Sequence, residues 1–149
     1  MQRESNQPTQ TFHEYPTNHL VGVLDTPEAV SATLGALHTA GFPEDAVQCY
    51  CKEDGARRVD FTSSHHQLLA KCVRVVEHAV ESLEHAVEHF GDEGDFKARN
   101  KEELSQGHFL VEVKAAHDDE RHRAREILKD NGAHFINYFG RWCVDCLDP

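Results

Sequence analysis

Two short apolar runs, LVGVL (20–24) and AVQCYCK (46–52), bracket a segment whose local signals are all helical, and this β–α–β block most constrains the fold. Thr26 stands where an N-cap is needed, and Pro27 follows at the first helical position with its φ already set. Glu28 lies in the turn that carries the positive end of the helix dipole. Val30, Leu34 and Leu37 keep helical spacing, and Gly41 supplies the left-handed stop. In the second run, alternation puts Val47, Cys49 and Cys51 on one face and Gln48, Tyr50 and Lys52 on the other. The first face is the apolar one, so both cysteines are expected in the core as small hydrophobes.

The pattern returns toward the C-terminus. HFLVEVKA (108–115) reads as a strand with Phe109, Val111 and Val113 on one face. Asp118 is expected to cap a helix through Asn131, with Ile127 and Leu128 facing inward and Gly132 as the stop. HFINYFG (134–140) is then the final strand. Between the halves, residues 53–66 read as a polar loop. A long helix is expected from about Gln67 to Phe90, because Leu69, Val73, Val76, Val80, Leu83, Val87 and Phe90 form a heptad seam. Within it, EHAVESL (77–83) is nearly repeated as EHAVEHF (84–90). DFKARNKEELSQG (95–107) reads as a shorter returning helix stopped by Gly107, which makes a helical hairpin over residues 67–106. Residues 1–18 hold two prolines and little periodicity and are expected to be a disordered tail, leaving 19–149 as one domain.

The order β–α–β–(αα)–β–α–β closes best as an α+β, ferredoxin-like (split βαβ) fold. It implies a four-stranded antiparallel sheet in the order 4-1-3-2, two helices on one face, and the helical hairpin inserted between strands 2 and 3.

GVLDTPEAVSATLGALHTAGFPEDAV resembles the opening βαβ of the bacterial heat-induced or general-stress-protein domains. GAHFINYFGRWCVDCL resembles the ending of a related set of small bacterial proteins, in which a helix, Gly-Ala-His and Tyr-Phe-Gly-Arg-Trp follow one another. The likeness covers roughly residues 19–147, and its C-terminal motif is the specific part. It implies a ferredoxin-like domain with a stress-associated role and carries over no catalytic residue.

Composition narrows the function classes. With 26 acidic against 15 basic residues the net charge is −11, which repels phosphate backbones and anionic lipid, so neither a nucleic acid nor a membrane is an expected partner. No run approaches the ~18 apolar residues of a membrane span. The polar opening lacks the apolar stretch of a signal peptide, so the cytoplasm is the expected location. Five cysteines in such a chain favour free thiols over a disulfide scaffold.

Twelve histidines need an account. His78, His85 and His89 sit among glutamates opposite the seam and read as a solvated helical face. Others are placed by the fold. Asp25 closes strand 1, His108 opens strand 3, His134 opens strand 4, and His65 and His66 follow strand 2, all at one rim of the sheet. Strands 3 and 4 flank strand 1, so the backbones of His108 and His134 are expected about 9–10 Å apart, near enough for two imidazoles to share an ion or an anionic ligand. Such a set suits zinc, nickel, iron or copper better than magnesium or calcium. At the opposite rim, Tyr138, Arg141 and Trp142 form a candidate clamp for a planar or anionic ligand. Cys143 and Cys146 make a CxxC without the strand-to-helix context of a redox motif.

The final strand carries apolar groups on both faces, and Leu110 adds to the outer one, so the helical hairpin, a second subunit, or both should cover it. No Gly-rich phosphate loop, nucleophile elbow or HExxH helix is present, and no reaction of its own is expected. The leading expectation is a non-catalytic, stress-associated binding or assembly protein that forms homo-oligomers. The alternatives are a transition-metal, haem or small-ligand binder using the histidine-rich rim, and a thiol redox sensor.

Overall fold

The computed structural model describes residues 18–60, 62, 67–75, 94–140 and 144–148. The first half runs β1 (His19–Leu24), α1 (Pro27–Thr39), β2 (Val47–Cys51), a single helical turn α2 (Glu53–Ala56), α3 (Gln67–Cys72) and β3 (Val73–Val75). The second half runs α4 (Gly94–Ser105), β4 (Phe109–Lys114), α5 (Asp118–Asp130), β5 (His134–Phe139) and β6 (Val144–Asp148). The chain is α+β, and its strands form one mixed sheet in the order β3-β2-β4-β1-β5-β6.

The local signals act as read in the first block. The Thr26 hydroxyl accepts the Ala29 N–H at 3.1 Å, and Gly41, Gly107 and Gly132 hold positive φ where helices stop. His117, not Asp118, is the N-cap of α5, because its backbone N–H is taken by the Glu120 carboxylate three residues on.

Three expectations about the architecture need correction. The sheet has six strands among the described residues, where four antiparallel ones were expected. β3 lies parallel to β2, and β6 adds an antiparallel strand beyond β5, so β5 is not an edge. The expected helix from Gln67 stops at Cys72. Val73 and Val75 are β-branched, and pairing with Cys49 and Cys51 on the open edge of β2 outweighs the heptad spacing there. The rest of that seam, with His78, His85 and His89, lies outside the described residues, as do residues 1–17. The loop at 53–66 begins with the helical turn α2. Its Gly55 packs so close that an added Cβ would stand 2.9 Å from the Cys51 Cβ and 3.3 Å from the Gly107 carbonyl oxygen.

Both faces of the inner strands carry buried side chains. On one, Leu20, Leu24, Phe109, Val111, Val113 and Ile136 meet Val30, Leu34 and Leu37 of α1 and Ala124 and Leu128 of α5. Cys49, Cys51 and Leu69 belong to this core. On the other, Val21, Val23, Leu110, Phe135 and Phe139 gather under Leu104 of α4. The returning helix thus covers the outer face that the apolar pattern required to be covered. No helix among the described residues is long and apolar enough to cross a membrane.

Candidate metal centre

Three sheet strands and one helix deliver side chains to a single rim. Asp25 lies between the end of β1 and the capped start of α1, so its backbone is held from both sides. On one flank, β4 pairs with β1 so that Phe109 faces Leu24, which brings the preceding His108 beside Asp25.

His108 is tied to α4 by the turn that ends the helix. Its N–H donates to the Glu103 carbonyl at 3.1 Å, and the Gly107 N–H donates to Leu104 at 3.1 Å. This is the paired Schellman pattern, made possible by φ +86 at Gly107. The motif sets residues five apart side by side, and here they are polar: Glu103 Oε1 lies 2.6 Å from His108 Nδ1.

On the other flank a β-bulge places His134. Val21 faces Asn137 but Val23 faces His134, so two residues of β5 oppose Gly22 of β1. Without the extra residue, His134 would share the face of Ile136 and Tyr138. The bulge, with Phe135 at φ 51, turns it onto the α4 face instead.

The result is four ligand-capable atoms in one place. Asp25 Oδ1 stands 2.8 Å from His134 Nε2 and 3.5 Å from His108 Nδ1. Glu103 Oε1 stands 2.6 Å from the same His108 nitrogen and 4.0 Å from the same His134 nitrogen. Asp25, Glu103 and His108 each offer an atom within 4.8 Å of the others, and His134 joins them through its contact with Asp25. The two rings meet edge-on with centroids 6.5 Å apart. The site is open on the Asp25 side, where the side chain is 54% exposed, and closed on the Glu103 side, at 13%.

Of the residues singled out in the sequence, Asp25, His108 and His134 come together, whereas His65 and His66 lie outside the described residues. Glu103 was missed. Its signal is the spacing Glu103-Gly107-His108, which a helix stop at Gly107 converts into contact. Of the candidate clamp, Arg141 and Trp142 lie outside the described residues, as does Cys143. Tyr138 is buried, its hydroxyl donating to Asn18 Oδ1 at 2.9 Å and its ring stacked under the Arg121 guanidinium at 4.2 Å.

The thiols of Cys49, Cys51 and Cys72 are held in the protonated form. Burial pushes the Cys49 thiol well up and that of Cys51 to about 11, and burial followed by the Glu44 carboxylate raises Cys72. A redox-active thiol needs the opposite environment.

No family model, curated protein or solved structure matches the chain.

Proposed function

We propose that this protein binds a divalent first-row transition-metal ion at Asp25, Glu103, His108 and His134. The observation that carries the reading is the four-atom arrangement itself. Four of its pairwise separations, 2.6, 2.8, 3.5 and 4.0 Å, lie around the edge of about 3.3 Å for a tetrahedron with metal–ligand bonds of ~2.0–2.1 Å, and Asp25, Glu103 and His108 each offer an atom within 4.8 Å of the others. Two carboxylates balance a divalent charge, and two imidazole nitrogens favour zinc, iron, nickel or copper over magnesium or calcium. The acidic surface raises the local concentration of any cation. On the same reading, the inner four strands are a split βαβ, ferredoxin-like unit. Their order β2-β4-β1-β5, antiparallel at each step, and the packing of α1 and α5 on one face support it.

The test is a zinc titration of metal-free protein, followed by calorimetry and by melting temperature. At a hundredfold excess over the dissociation constant, zinc should stabilise the wild type by about 2.7 kcal/mol. Asp25→Asn, His108→Ala and His134→Ala should each weaken binding, while His122→Ala, on exposed helix surface, should bind like the wild type. Imidazole must be neutral to ligate, so affinity should fall on acidification. If all these proteins respond alike, or none responds, the four side chains are a hydrogen-bonded cluster and the metal reading is lost.

A further inference from the structure

Resting on that metal reading, we infer that the ion acts as a clasp: it docks α4 onto the outer face of the sheet, so that metal supply controls how tightly that face is covered. Three of the four ligands, Asp25, His108 and His134, belong to the ends of sheet strands or to the residue beside them. Glu103 alone belongs to α4, in its last turn. An ion held by all four therefore joins the helix to the sheet with bonds that neither makes by itself.

The helix needs such a joint. Among the described side chains, Leu104, 1% exposed, is the one that α4 adds to the cluster of Val21, Val23, Leu110, Phe135 and Phe139. One turn earlier Asn100 is 4% exposed, and its side-chain oxygen has no hydrogen-bond partner among the described residues, a burial that works against docking. Arg99 lies over the Phe135 ring at 4.2 Å, with its Nε 3.6 Å from Glu103 Oε2. Without an ion, Glu103 meets the rim through its 2.6 Å contact with His108, which lies at the same helix end, and a looser 4.0 Å approach to His134. With an ion, Glu103 is linked to β1 and β5 as well. The open Asp25 side lets the ion exchange with solvent while the core stays folded.

Hydrogen exchange on the full chain, metal-free and with zinc at a hundredfold excess over its dissociation constant, reads the clasp directly. Opening of α4 breaks the site, so zinc should slow exchange of the amides at 99–105 about a hundredfold, while α1 changes far less. Glu103→Gln should still bind zinc through the three remaining ligands, more weakly, yet show no slowing in α4 at saturation. His134→Ala keeps the helix ligand and should retain the slowing once saturated.

Zinc binding by calorimetry without slowing in α4 would overturn the clasp and leave the metal site standing. Equal slowing in α1 and α4, or slowing in Glu103→Gln like that of the wild type, would overturn it too. No binding by calorimetry removes the site and the clasp together. Should Glu103→Gln lose its circular dichroism signature, the wild type and His134→Ala decide alone.

Discussion

Phe135 holds φ 51, a left-handed conformation that costs a bulky residue on the order of 1–3 kcal/mol. That strain accompanies the bulge that turns His134 toward Asp25, so backbone discomfort and ligand placement belong to the same residue step. The thiols show the opposite case, residues at ease and inert. Cys49 and Cys51 are wholly buried, and Cys51 ionises only near about 11. Alkylation of the native protein at mildly alkaline pH should leave both unmodified, and both should react after denaturation; rapid native labelling would contradict their placement. The pH dependence of stability has a definite sign. A thiol whose pKa is raised by folding keeps its contribution below the unfolded value of 9.0 and loses it as pH climbs toward about 11. Urea midpoints should therefore fall across that window, and Cys51→Ala should flatten the fall.

At the scale of elements, α4 and the outer sheet face depend on one another. Leu104 is almost fully enclosed, and its truncation to alanine should cost about 2–5 kcal/mol. If α4 is the cover, Leu104→Ala should also increase binding of a hydrophobic dye under native conditions, because Val21, Val23 and Leu110 lose their lid. A melting temperature within a degree or two of the wild type would show that something else covers this face. The α3–β3 junction illustrates why element boundaries follow the neighbours. The sequence CVRVV satisfies a heptad and an alternation equally well, and at Val73–Val75 the open edge of β2 decides for the strand.

The whole molecule carries a net charge of −11, and like charges oppose compaction at every distance the solvent does not screen. Raising salt from about 10 mM to about 150 mM shortens the screening length from ~30 Å to ~8 Å. The metal-free protein should accordingly melt at a higher temperature as sodium chloride is added, a trend that differential scanning fluorimetry resolves. A fall with salt would mean that local ion pairs, such as Lys71–Glu44 or Arg121–Asp118, outweigh the global repulsion.

The sequence by itself determined what is short-ranged. Thr26, Pro27 and the stops at Gly41, Gly107 and Gly132 set helix limits through contacts a few residues long, and alternation in 47–51 put Cys49 and Cys51 inside. It also brought Asp25, His108 and His134 to one rim, because strand order and chain direction suffice to say which ends meet. Tertiary structure decided the rest. Whether Val73–Val75 is helix or strand depended on the free edge of β2, 22 to 26 residues away in the chain. The sixth strand depended on the unpaired edge of β5. Glu103 entered the site through a helix stop whose geometry is local but whose target, the rim, is not. His134 faces that rim because of one extra residue opposite Gly22, and a period-two pattern carries no mark of where such a residue will fall until the strands pair.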